Sequence, residues 1–88
     1  MKVVFLRKFS KDLDKIKKPG DRKSILEIIA LVKQSASIEE IPGAKKLIGF
    51  EDTFRIRSGD YRIGVFVIEE SVEFVRVVHR KDIYKVFP

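Results

Sequence analysis

The chain has 88 residues, 44% of them apolar and 36% charged, enough for one compact domain and too few for two. With no cysteine and a single histidine, a disulfide framework, a thiolate nucleophile and a cysteine-ligated zinc site are excluded, and the sequence points to no metal and no small-molecule cofactor. Nineteen lysines and arginines against thirteen aspartates and glutamates leave a formal charge of +6, and so basic a small surface draws polyanions, nucleic acid first among them.

No apolar run approaches the roughly 18–20 residues that cross a bilayer, and the opening run Val3 to Leu6 lacks the pattern of a signal peptide. A soluble cytoplasmic protein with no membrane partner is expected. Residues Lys2 to Phe9, with Val3, Val4 and Phe5, read as a first strand. Ser10 then offers a hydroxyl to cap a short helix carrying Phe9, Leu13 and Ile16 on one stripe, which Pro19-Gly20 ends. Asp21 is placed to cap a second, longer helix with Ile25, Ile28, Ile29 and Val32 on one face. From Ser35 to Glu51 the periodicity fades. Ser37 to Glu40 has capping-box spacing and Pro42-Gly43 is turn chemistry, so this stretch reads as a loop with one helical turn.

Thr53 to Arg57, Tyr61 to Ile68 and Val72 to His79 are three β-rich runs, separated by Ser58-Gly59-Asp60 and Glu69-Glu70-Ser71, and predict an antiparallel meander. Lys81 to Pro88 reads as a short tail with room for one helical turn. Helices gathered early and strands gathered late give an α+β fold in residues 1–88, with the helical hairpin on one face of the sheet and the other face free for function.

Alternation along a strand sends Phe54 and Ile56 to one side and Arg55 and Arg57 to the other; in the next strand it separates Tyr61, Ile63, Val65 and Val67 from Arg62 and Gly64. A two-residue hairpin turn sets Arg62 directly across from Arg55 or Arg57. Like charges facing each other across a ladder cost a few tenths of a kcal/mol, so folding gives no reason to gather them, whereas a polyanion does. The competing explanation is a solvated face whose arginines pair with Asp60, Glu51 or Asp52. Farther on, His79, Arg80 and Tyr84 converge near a strand end. Whether His79 or Arg80 faces the arginines turns on the count of the Glu69 to Ser71 loop, which parity leaves open. The plainer roles are a structural imidazole and, for Tyr84, a hydrophobic clasp beside Phe87.

The succession of strand, helical hairpin and meander, with Phe54-Arg55-Ile56-Arg57, Gly59-Asp60-Tyr61-Arg62-Ile63 and His79-Arg80-Lys81-Asp82-Ile83-Tyr84, resembles the RelE/ParE toxin superfamily over nearly the whole chain. The RelE branch implies a RelE-like fold and an endoribonuclease, an mRNA interferase that cuts mRNA in the ribosomal A site and is silenced by an antitoxin. By position, Arg55 and Arg57 match the basic pair of the second strand, Arg62 the arginine of the third, and Arg80 and Tyr84 the terminal pair. Arginines stand where some members carry lysines, so their role is electrostatic rather than proton transfer. The interval from Arg80 to Tyr84 is shorter than in some relatives. The ParE branch shares the fold and implies gyrase inhibition without cleavage; a basic module that merely holds nucleic acid is a third possibility.

On the RelE reading, the RNA 2′-hydroxyl attacks the adjacent phosphorus. Arg57 and Arg62 neutralise the developing charge, and Arg80 steadies the leaving oxygen. Arg55, Lys45, Lys46 and Lys81 hold the RNA backbone. Tyr84 or His79 takes the proton: a phenol is a weak base at neutral pH unless cations favour its anion, and an imidazole titrates near pH 6.5. The antitoxin expected to cover a cationic groove is acidic and folds as it binds.

Overall fold

The computed structural model describes residues 1–88. Its elements are β1 (Lys2–Phe5), α1 (Arg7–Lys15), α2 (Pro19–Gln34), a 3₁₀ turn (Ile38–Glu40), β2 (Ala44–Lys46), β3 (Thr53–Ser58), β4 (Tyr61–Ile68), β5 (Ser71–His79) and α3 (Ile83–Val86). The strands form one sheet in the order β1-β5-β4-β3-β2, antiparallel except for the parallel pair β1 and β5. The α+β class with the α1–α2 hairpin on one face is as expected. The sheet has one strand more than the sequence suggested, because Ala44–Lys46, too short to show an alternating pattern, pairs with β3 inside the stretch expected to be loop.

The first strand stops at Phe5, and Ser10 is not the cap of the helix that follows. Leu6 takes the extended cap conformation and the Ser10 amide already donates to the Leu6 carbonyl at 3.2 Å. Starting there places Phe9, Asp12 and Ile16 on the turns of α1 that meet the core, all three buried. The second helix begins earlier than Asp21: Pro19 occupies its first turn, where its fixed φ suits the helix and its missing N–H costs nothing. Asp21 instead sits in that turn, beside the positive end of the helix dipole. The Arg22 guanidinium reaches back to the Leu13 and Ile16 carbonyls, at 2.5 and 3.3 Å, adding a charged donor where α1 ends. The capping box at Ser37 and Glu40 forms as read, on the 3₁₀ turn.

Phe9, Ile25, Ile29 and Val32 from the helices close over Ile56, Ile63, Val65, Val72, Phe74 and Val77 from the inner face of the sheet. β1 covers only the first part of the outer edge of β5, and the Leu6 amide makes the last contact there, to the Phe74 carbonyl at 3.0 Å. Beyond it the Asp12 carboxylate of α1 takes over. It accepts the Val77 amide at 3.1 Å and the Arg76 fork, Nε at 2.6 Å and Nη2 at 3.0 Å. A buried acid thus terminates an open strand edge.

The other face is not bare. Ile83 and Phe87, one helical turn apart and both buried, lie outside the main core, and Phe87 rests on Gly64 and packs beside Phe66, ring centroids 5.4 Å apart. The tail therefore folds back across the outer face, and the space for a ligand is the part it leaves uncovered.

Candidate active site

The hairpin between β3 and β4 closes with the two-residue turn Gly59–Asp60, Gly59 taking φ +57°, so that Ser58 pairs with Tyr61. This register fixes the outer face. Arg57 stands directly across from Arg62, and Arg55 stands across from Gly64 on one side and Lys45 of β2 on the other. Two cross-strand pairs of like charge, Arg57 with Arg62 and Lys45 with Arg55, therefore share one surface.

The same turn organises the cluster through its carbonyls. Arg62 Nη1 donates to the Gly59 carbonyl at 2.8 Å and to the Tyr61 carbonyl at 2.9 Å. Both contacts use one nitrogen, which leaves the Nε and Nη2 edge of the guanidinium open. That edge is the one with which Arg76 grips Asp12, so the molecule displays elsewhere the bidentate geometry that Arg62 holds ready for an oxyanion. The Asp60 carbonyl accepts the Arg80 amide at 2.7 Å, drawing the end of β5 to the turn. Partial desolvation pulls the Arg62 pKa down, and the charges of Arg55, Arg57 and Arg80 pull it down further, while Tyr84 pushes it up. Arg55, Arg57, Arg62, Arg80 and Tyr84 thus form one electrostatic neighbourhood.

None of these arginines is paired with an acid. The ion pairs in the molecule are Arg76 with Asp12 and, on the surface of α3, Lys85 with Asp82 at 3.6 Å. Neither Asp60 nor Glu51 nor Asp52 neutralises the cluster. The Tyr84 side chain, 64% exposed, points outward rather than into the clasp, which is made by Ile83 and Phe87.

The remaining candidates are distributed less favourably. His79 pairs with Tyr61, its ring 6.1 Å from the tyrosine ring, on the side of Ile63 and away from Arg62, which pairs with Val78. Its Nδ1 accepts the Lys81 amide at 3.2 Å. The placement separates His79 from the outer-face arginines of β3 and β4. Lys45 joins the arginine face. Lys46 pairs with buried Phe54 and so lies on the opposite face, and Lys81 is exposed in the turn into α3. Gly64, which seats the Phe87 ring, carried no sequence signal beyond its place beside Arg62.

Comparison with known proteins finds relatives of the chain over nearly its whole length. Residues 3–84 match the family described as ParE toxin of type II toxin-antitoxin system, parDE. Toxin RelE3 of Methanocaldococcus jannaschii is 43% identical over 90 residues spanning the whole of both chains. A RelB–RelE antitoxin–toxin complex from Methanococcus jannaschii contains a chain that superposes with a TM-score of 0.82 at 39% identity, covering 97% of this chain and 99% of that one. A chain of the intact RelBE toxin–antitoxin complex of E. coli gives a TM-score of 0.70 at 26% identity, covering 89% and 94%. With this fold, the family match and these relatives place the chain among the toxins of type II toxin–antitoxin systems. The chain belongs to the RelE/ParE toxin superfamily.

Proposed function

We propose that this chain is a RelE-type endoribonuclease that cuts mRNA, on the ribosome, by attack of the RNA's own 2′-hydroxyl. The observation that carries the reading is the unneutralised arginine cluster beside an exposed phenol: the guanidinium groups of Arg55, Arg57 and Arg80 around that of Arg62, two like-charge cross-strand pairs, and no carboxylate partner. Such an arrangement opposes folding and is explained by a polyanion that gathers further charge as it reacts.

In the proposed step Tyr84, having first given its own proton to solvent, takes the 2′-hydroxyl proton on its phenolate oxygen as the 2′-oxygen bonds to phosphorus. The open edge of Arg62 and the fork of Arg57 hold the non-bridging oxygens, where fixed donors are worth about 2.7–4 kcal/mol each. The bond to the 5′-oxygen breaks, leaving a 2′,3′-cyclic phosphate; Arg80 hydrogen-bonds the departing oxygen until solvent protonates it. Arg55 and Lys45 hold the flanking phosphate, with Lys46 and Lys81 adding only to the long-range field. Tyr84 is preferred over His79 because the phenol shares the arginine neighbourhood and the imidazole faces the other way. An acidic antitoxin that folds over this face is the proposed partner, in keeping with the RelB chain in the complexes of its relatives.

A second reading, gyrase inhibition without cleavage, is favoured by the ParE name of the matching family. The two separate in one experiment. Purified chain is added to programmed ribosomes and to free RNA, and the cut ends are mapped. Cyclic-phosphate and 5′-hydroxyl ends support cleavage; intact RNA together with loss of gyrase supercoiling supports the inhibitor.

A further inference from the structure

A β-carbon built on Gly64 would lie 2.6 Å from Cγ and Cδ2 of Phe87 and 2.7 Å from Cδ1, far inside ordinary contact. The backbone of Gly64 is not in the left-handed region, so glycine is needed there for room and not for conformation. The phenylalanine ring lies flat on the strand at the one position of the outer face where a side chain has been removed, next to Phe66 and one turn from buried Ile83. The helix that carries Tyr84 has four residues, too few to hold its shape unaided. Its anchorage consists of Ile83, Phe87 and a few backbone bonds, among them the Phe87 amide to the Ile83 carbonyl at 2.8 Å and the Asp82 amide to the His79 carbonyl at 2.8 Å.

We infer that Gly64 and Phe87 are positioning residues for Tyr84: the flat seat on β4 sets how closely the tail approaches the sheet, and thereby where the phenol stands relative to Arg62. The inference rests on the ribonuclease reading of Tyr84 and deepens it. Alanine at Gly64 forces the ring outward by about 1 Å to regain normal contact, and a misplacement of that size is enough to cost about a hundredfold in rate. Phe87→Ala removes the weight on the seat and frees the same segment. Gly64 meets Arg55 across the ladder with backbone alone, and neither substitution removes a cation, so RNA binding at the basic face is retained.

The test measures single-turnover RNA cleavage and RNA affinity for Gly64→Ala, Phe87→Ala and Tyr84→Phe, and for each of the first two combined with Tyr84→Phe. Amide exchange is followed in all of them. The expected result is about a hundredfold slower cleavage for Gly64→Ala and Phe87→Ala with affinity changed less than about threefold. Protection should fall at Lys85 and Phe87 and persist in β3 to β5. In the Tyr84→Phe background the same changes should add less than about threefold, since the group they position is gone. Parent-like cleavage by Gly64→Ala, or a full hundredfold added on top of Tyr84→Phe, overturns the inference while leaving the role of the phenol intact. Parent-like cleavage by Tyr84→Phe refutes the role of the phenol and the inference with it.

Discussion

The charge on Arg62 works against the fold. Its pKa is displaced downward, first by partial desolvation and then by Arg55, Arg57 and Arg80. A cation with a depressed folded-state pKa destabilises at every pH below that value, and the penalty is relieved only when the pH rises into the guanidinium's own range. Between about pH 5 and 9 the penalty is therefore constant, and anions rather than protons should modulate it. Inorganic phosphate should raise the melting temperature of the parent chain and raise that of Arg62→Ala less; equal shifts would show that phosphate binds elsewhere. Arg57→Gln, which removes one member of a facing pair of cations, should raise stability by a few tenths of a kcal/mol in urea denaturation while slowing cleavage. Tyr84→Phe should slow single-turnover cleavage by orders of magnitude. The facing of Arg57 and Arg62 was legible in the sequence because strand alternation and a two-residue turn determine it. The placement of His79 was not: Val75 is bulged opposite the Gly64/Val65 step, so the register of β4 against β5 shifts by one residue midway, and no parity count reveals an extra residue inside a strand.

Elements whose sequences carry a strong period were readable, and those held by tertiary partners were not. The strands of the meander alternate clearly and fell close to their observed limits. β2 has three residues and exists because β3 offers it a ladder. The start of α1 moved because Phe9 had to enter the core from a helix rather than end a strand. The carboxylate of Asp12 illustrates the same dependence, since nothing in its neighbours shows that it will meet an amide and a guanidinium 65 and 64 residues away. The hydrogen bond to Asp12 and its charge raise the Arg76 pKa against desolvation. The stability this gives is complete below the unfolded guanidinium value and is lost only as the pH climbs through the still higher folded one. Asp12→Ala should therefore cost roughly 2–4 kcal/mol throughout the neutral range, seen as a lower urea midpoint with unchanged slope. A midpoint equal to the parent's would show that the strand edge needs no cap.

The protein as a whole combines a core on the helix side of the sheet with a cationic outer face partly roofed by its own tail. With a net charge of +6, the proposed association with RNA is expected to be salt-dependent. Four or five cations in contact with single-stranded phosphates predict a slope of log affinity against log salt near about −3. A slope near zero would remove the phosphate contacts from the account. The overall class was legible because helices and strands are segregated along the chain, and the superfamily because its motifs lie on the hairpin that alternation places on the outer face. The roof formed by Ile83 and Phe87 was not: a helical turn in the tail was readable, but nothing local to the tail shows that it packs back onto Gly64 and Phe66. The central claim is that developing negative charge on phosphorus is met by the open edge of Arg62. Its most direct test is the single-turnover rate constant of Arg62→Ala, with RNA fully bound, against that of the parent chain. A fall of roughly a hundredfold or more is predicted, with no restoration by Arg62→Lys; an unchanged rate constant under saturation would contradict the account.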